Sequence, residues 1–532
     1  MGNLFKLNFK IIFLSPIIYI YYSFILFFYV FFIYLLKTFS KPINYAFSLD
    51  LLAYLEITIF ILSFCVAVFF IQQRHLLEDI CFIPKQKIII FKIISILLAC
   101  FPICLLPVLF IIINELKTNT SLFFMLMALV YYLSRWLSHI IIPIIFGAAL
   151  GLLIQFKSVY LIAAPLSIFF SHLNYNFLAR IVNYKTASKY SNFLSIQKPF
   201  ISSVEIDYAM PRVDLQFILK GIIVILLSAL IISIINYVLN ANKRRFDIIL
   251  AVALAIILVI ACNFYLSCAP IPYDYFDKMY IAKENFQDIK VESYKGKIKL
   301  SEYSKFDCFV TFKKNYIGDL ITFRLDKCFD IYDIVCENKN INFTRNDDFI
   351  ILSDELISNK GEYTITFSYG GRVNYVSDID GVNIYTSFYS SALPPNFAFI
   401  PILNENISNV KYDFAIQCSN NLISNLNTQK IYSNVYKIEG LSKSICLFCG
   451  FLDYIIYDDI IIYKAAYNFS TNYIDVYQES IKRKFYDPKQ NKYVKIEYKK
   501  PRKVFMIYYL YGVVDFPVQY DDYIMINYGY PY

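Results

Sequence analysis

The chain has 532 residues, room for two or three domains, and 58% of them are hydrophobic, with a mean hydropathy of +0.50. That exceeds what a soluble globular core consumes, so a wholly soluble protein is excluded. The net charge of +9 requires no nucleic acid, because basic residues gather in short loops between apolar runs. The 48 Tyr and 50 Phe follow a chain-wide bias toward Ile, Lys, Asn, Tyr and Phe and do not mark base-stacking platforms.

Apolar runs long enough to cross a bilayer lie at Ile11–Leu36, Leu51–Ile71, Ile93–Ile113, Leu122–Ile154, Ile222–Val238 and Ile248–Leu266, with a shorter run at Tyr160–Phe170. Only a helix satisfies its own backbone hydrogen bonds in hydrocarbon, so each run predicts a helix. The first is too long for the apolar core of a signal peptide and lacks a small-residue cleavage site, which predicts an uncleaved first span. The fourth exceeds one untilted span and contains Arg135, His139 and Pro143. A break or tilt is expected there, and six or seven spans follow. Two prolines after the last run, in Cys268-Ala269-Pro270-Ile271-Pro272, set a domain boundary near residue 270.

Orientation is read from Lys and Arg in short loops. Lys6 and Lys10 precede the first run, Arg74, Lys85, Lys87 and Lys92 lie between the second and third, and Lys243-Arg244-Arg245 between the last two. With seven crossings these share one side. The prediction is a multi-pass protein of the cell (inner or plasma) membrane, with a cytoplasmic N-terminus and an extracytoplasmic C-terminal half. The basic loop Asn174–Asp214 then faces outward, against the rule. Inside the spans, Glu56 and Arg135 stand out because charge is costly in lipid, and His139 is a third polar group. They point to a transport pathway or to an ion pair that holds a dimer together. The plainer alternative is a Glu56 that snorkels to its helix end and an Arg135 at a helix break.

Between the second and third runs, Leu76, Leu77, Ile80 and Ile83 recur at helical spacing opposite Arg74, Glu78 and Asp79, and Pro84 ends the stretch. This predicts a short amphipathic helix over Gln72–Lys87, either docking into a groove on a cytoplasmic partner or resting on headgroups. The succession Arg74, Leu76, Leu77, Glu78, Ile80, Pro84 and then Lys92 at the next span resembles the ABC-2 type permeases, as does the span order of Met1–Leu266. The family's usual glycine in this segment is missing, and Pro84 to Lys92 is shorter than typical. The resemblance implies a coupling helix that contacts an ATPase. No G-x-x-x-x-G-K-S/T loop is present to hold nucleotide phosphates, so a separate cytoplasmic ABC ATPase is the implied partner, with homo- or heterodimeric permease subunits.

Beyond Tyr273 short alternating stretches take over, such as Phe309-Val310-Thr311-Phe312 and Tyr363-Thr364-Ile365-Thr366-Phe367, separated by turns such as Asn346-Asp347-Asp348. The fold class expected is an α-helical polytopic membrane domain, residues 1–270, followed by a mainly antiparallel β-sandwich, residues 271–480. Residues 481–532 form a C-terminal extension. Within Glu284–Asn427, the stretches Gly361–Gly371, Asp378–Val382, Phe399-Ile400-Pro401, Lys411–Phe414 and Leu422–Asn425 resemble the N-terminal β saddle domain of M1-family aminopeptidases. By that resemblance the extension is the start of a peptidase domain. Yet M1 catalysis needs H-E-x-x-H, and the only histidines are His75, His139 and His172. The expectation is either a non-catalytic, binding-only domain without cofactor or metal, or a peptidase that lies on another chain.

Cys446-Leu447-Phe448-Cys449 is a C-x-x-C, and Cys308, Cys328, Cys336 and Cys418 lie in the same half. Buried unpaired thiols, one or more disulfides, or a metal site remain open. The function expected is the permease subunit of an ABC-type transport or export system. The alternative is a membrane-anchored extracytoplasmic binding or assembly protein. An intramembrane enzyme using Glu56, Arg135 and His139 ranks third.

Overall fold

The computed structural model describes residues 2–39, 53–73, 85–109, 122–154, 156–171, 174–182, 190, 193–195, 215–239, 244–268, 271–273, 289–318, 320–353, 357–377, 383–395, 397–403, 409–450, 452–465, 473–482, 484–487, 492–495, 497–506, 518–520 and 522–526. The chain divides into two compact units with the boundary at Ala269-Pro270.

Six helices among the described residues are long and apolar enough to cross a bilayer. A shorter helix, α1 (Gly2–Phe13), precedes them and breaks at Leu14-Ser15, before α2 (Pro16–Phe39). The single first span expected over Ile11–Leu36 is therefore interrupted. Pro16 has no N–H to continue the ladder, and Ser15 Oγ accepts from the Ile17 amide at 3.4 Å, capping the new helix. Next come α3 (Ala53–Gln72) and α4 (Lys85–Cys100), the latter continuing through a 3₁₀ turn at Phe101–Cys104 toward Leu109.

The fourth run is one helix, α5 (Leu122–Leu153), of 32 residues and unbroken at Pro143. The break considered there does not occur; neighbouring helices in an apolar setting tolerate one missing hydrogen bond. The short run Tyr160–Phe170 becomes a 3₁₀ turn (Lys157–Ile162) and a seven-residue helix, α6 (Ala163–Phe169). The last two long helices are α7 (Leu215–Leu239) and α8 (Arg244–Ser267).

In the second unit, alternation of buried and exposed residues, as along Ser304–Lys314, gives each strand one apolar face. An eight-stranded sheet runs in the order Asn427–Tyr432, Val435–Ser442, Val410–Gln417, Ile289–Lys299, Ser304–Lys314, Gly361–Gly371, Phe329–Cys336 and Lys339–Asn340. A six-stranded sheet ends in Ser391–Leu393, Leu447–Gly450 and Asn421–Ser424. Tyr294, Phe306 and Phe367 of the first sheet share one core with Ala392, Leu393 and Phe448 of the second, which makes the pair a sandwich. Pairing is mostly antiparallel, but Val410–Gln417 runs parallel to Ile289–Lys299, with Phe414 opposite Gly296. Gly296 has φ +152°, and a Cβ there would lie 1.9 Å from the Asp307 carbonyl oxygen, so the position demands glycine.

A five-stranded sheet follows, in the order Leu452–Tyr457, Ile460–Ala465, Lys503–Met506, Tyr523–Ile526, Val518–Tyr520. Its three inner strands are parallel, and α9 (Tyr473–Lys482) lies in the connection between the first two of them. Ile462, Tyr477, Val504, Ile524 and Ile526 form its own core. This β/α layer crosses the division expected at residue 480. A parallel pair needs a long crossover, so its strands are distant in sequence.

Candidate functional site

Glu56 lies one turn into α3 and Arg135 in the middle of α5, 79 positions apart in sequence, and the two helices bring them together. Arg135 Nε lies 2.9 Å from Oε1 and 3.0 Å from Oε2 of Glu56, donating to Oε2. Both side chains are buried, at 1% and 5% exposure. The pair lies within one chain, and Glu56 is buried against Arg135 and does not reach out past its helix end. His139 follows Arg135 by one helical turn. Its Nδ1 is 2.8 Å from the Arg135 carbonyl oxygen and its Nε2 3.7 Å from Glu56 Oε2. A carbonyl can only accept, so Nδ1 carries the hydrogen. In the neutral ring the Nε2 lone pair then faces a carboxylate oxygen at 3.7 Å, beyond hydrogen-bond distance. The Arg135 guanidinium also lies 6.0 Å over the Tyr132 ring.

The α3–α5 contact that holds the site rests on small residues. Gly147 faces the Phe64 carbonyl, which a Cβ would approach to 2.7 Å, and one turn later Gly151 packs on Val68. Ile59 and Ala67 of α3 and Trp136, Ile140, Ile144 and Ala148 of α5 belong to the same core. Close backbone approach of this kind is how helices gain packing energy in lipid.

Lys92, expected at the start of the third span, is buried in α4, and its Nζ donates to the Gln73 carbonyl at 3.0 Å. Gln72 Nε2 donates to the Ile154 carbonyl at 2.7 Å, tying the end of α3 to the end of α5. Arg74, Leu76, Leu77, Glu78, Ile80 and Pro84 lie outside the described residues.

Three features were not anticipated. The Gly147-x-x-x-Gly151 spacing was readable as a helix-pairing motif. Lys220 of α7 donates to the Phe193 carbonyl and lies 5.6 and 5.2 Å over the rings of Phe193 and Tyr265. Asp247 of α8 is buried, and its carbonyl accepts from Ser233 at 3.2 Å. Both charges sit just before the apolar runs that begin at Ile222 and Ile248, so a reading by uninterrupted hydrophobicity left them out.

By length and composition the helical unit is that of a polytopic membrane protein, joined to a mainly β unit. No protein-family model and no curated protein matches the chain. Among solved structures it is similar to native leukotriene A4 hydrolase from Saccharomyces cerevisiae, at 10% identity and TM-score 0.31, over 46% of this chain and 42% of that one. It is also similar to an M1 zinc metallopeptidase from Deinococcus radiodurans, at 8% identity and TM-score 0.30, over 45% of this chain and 61% of that one. The chain spans less than two thirds of either.

Proposed function

We propose that the chain is the membrane (permease) subunit of an ABC-type transport or export system, acting with a separate ATPase and carrying a binding-only β unit. The observation that carries this is how the flanks of residues 74–84 are anchored. Gln72 is bonded to the end of α5, and Lys92 of α4 reaches back to Gln73. A push on this segment from a cytoplasmic partner reaches α3, α4 and α5 directly, and α3 and α5 hold the Glu56–Arg135–His139 cluster. The sequence carries neither a nucleotide-binding loop nor H-E-x-x-H, so hydrolysis and any peptidase activity belong to other chains. Subunits pair as homo- or heterodimers in the bilayer.

The side on which the β unit lies depends on the number of crossings. Six return the chain to its starting side, and the extracytoplasmic placement needs a seventh. The only further apolar helical stretch among the described residues, Lys157–Phe169, has six 3₁₀ and seven α-helical residues. It rises roughly 22 Å, short of the ~30 Å hydrocarbon core. We propose the six-crossing reading, in which the N-terminus and the β unit share the cytoplasmic side, over the seven-crossing reading that puts the β unit outside. Arg180, Lys185, Lys189, Lys198 and Arg212 then join Lys6, Lys10, Arg74, Lys85 and Lys87 inside, while Lys243-Arg244-Arg245 moves outside, against the rule.

Co-purification tests the function. The full chain, extracted gently from its native membrane, is expected to retain an ATP-hydrolysing subunit. Its absence in every mild detergent would leave a membrane-anchored binding protein as the reading.

A further inference from the structure

The C-x-x-C motif pairs the wrong sulfurs. Cys446 and Cys449 are three apart along the strand Leu447–Gly450 and its approach, so they meet different surroundings. Cys446 Sγ lies 3.4 Å from Asn425 Oδ1, the same oxygen that accepts the Cys446 amide at 2.9 Å. Burial pushes its thiol up to about 12, which keeps it protonated and inert. Cys449 turns instead toward Cys418, and the two Sγ atoms share one acceptor. The Asn420 carbonyl oxygen lies 3.2 Å from Cys418 Sγ and 3.7 Å from Cys449 Sγ.

This meeting point joins the two sheets of the sandwich. Cys418 is the first residue after Val410–Gln417 of the eight-stranded sheet, and Cys449 belongs to the six-stranded sheet. Only Ser419 and Asn420 then separate Cys418 from the strand Asn421–Ser424, whose Leu422 is paired with Cys449. Both thiols are free, and both are buried, at 3% and 2% exposure. Ser419, next in sequence to Cys418, is exposed. The two sulfurs differ in character. Proximity to Cys449, a backbone hydrogen bond of Asn420 and the Lys430 charge hold the Cys418 thiol below its ordinary value against the opposing effect of burial. Proximity to Cys418 and burial hold Cys449 well above it. A lowered attacking thiol beside a protonated resolving thiol is the arrangement that thiol–disulfide exchange requires.

We propose that Cys418 and Cys449 form a redox-reversible pair, closed to a disulfide by a low-molecular-weight disulfide of the glutathione class, which staples the two sheets of the β unit together. The Cys418 thiolate attacks one sulfur of the small disulfide, forming a mixed disulfide and releasing one small thiolate. Cys449 gives its proton to solvent and displaces Cys418's partner as the second thiolate. In sum, two protein thiols lose two protons and two electrons, and one small disulfide becomes two thiols. The two-residue Ser419-Asn420 connection is the point where a local opening admits the reagent.

The test uses the full chain in detergent, fully reduced and then equilibrated across ratios of oxidised to reduced glutathione, acid-quenched, alkylated and mapped by peptide mass spectrometry. The expected result is a Cys418–Cys449 linked peptide that appears as the ratio rises and disappears when the ratio is reversed. The Cys446→Ala variant is expected to keep that link. In Cys449→Ser, glutathione is expected to persist on Cys418. A Cys446–Cys449 link, or alkylation of both Cys418 and Cys449 at the most oxidising ratio, overturns the proposal, as does oxidation that requires denaturant. Should Cys449→Ser fail to fold, the wild type and Cys446→Ala decide the matter alone.

Discussion

Glu56 and Arg135 are each buried beyond the reach of bulk water, so each depends on the other for the stabilisation that hydration would supply. Removing one partner leaves the other charge buried without its ion-pair partner. Glu56→Leu and Arg135→Leu are each expected to destabilise the helical unit by roughly 3–5 kcal/mol, whereas the double Leu variant recovers most of the loss. Thermal unfolding of the detergent-solubilised chain, run as a double-mutant cycle, measures this; additive losses would contradict it. Glycine gives a second residue-scale contrast. Gly147→Leu has the Phe64 carbonyl in its way, but nothing lies within 4 Å of a Cβ at Gly221. The first substitution is expected to lower the yield of folded protein severalfold, and Gly221→Leu to leave it near wild type. At this scale the sequence identified the participants but not their pairing. Charge inside an apolar run is rare enough to notice, so Glu56, Arg135 and His139 stood out. That Arg135 meets Glu56, and that Cys449 meets Cys418 and not Cys446, depends on contacts across many intervening residues.

Helices and strands were legible where their periodicity was undisturbed. The six long helices follow the apolar runs, and strands such as Gly361–Gly371 follow the alternation. The break at Ser15-Pro16 was hidden because the apolar run continues across it, although a serine before a proline is a helix-start signal. Pro143 misled in the opposite direction. The parallel centre of the five-stranded sheet was hidden for a topological reason, since parallel neighbours leave no hairpin signal. Lys503, half-buried in that sheet, donates to the Ser424 and Leu426 carbonyls at 2.9 and 2.5 Å and so fastens the sheet to the sandwich. Lys503→Met leaves both carbonyls without this donor. A loss of about 1–3 kcal/mol is expected in the unfolding of the β unit, and earlier proteolysis of the five-stranded sheet than of the sandwich should accompany it.

Taken whole, the account rests on an even number of crossings and on a partner that hydrolyses ATP. An epitope tag at Tyr532 is expected to resist protease in intact cells and to be digested after permeabilisation. Digestion in intact cells would mean an odd count and an external β unit. The apolar runs left the count open between six and seven because the Tyr160–Phe170 run is short for a span, and its described helical part, Lys157–Phe169, is short as well. The most direct measurement is a gentle-detergent pull-down of the full chain, wild type against an Arg74→Ala/Glu78→Ala double variant with the same β-unit stability. The account predicts an ATPase that is recovered with the wild type and lost with the variant. Equal recovery from both would contradict the docking segment, and no ATPase from either would contradict the permease function itself.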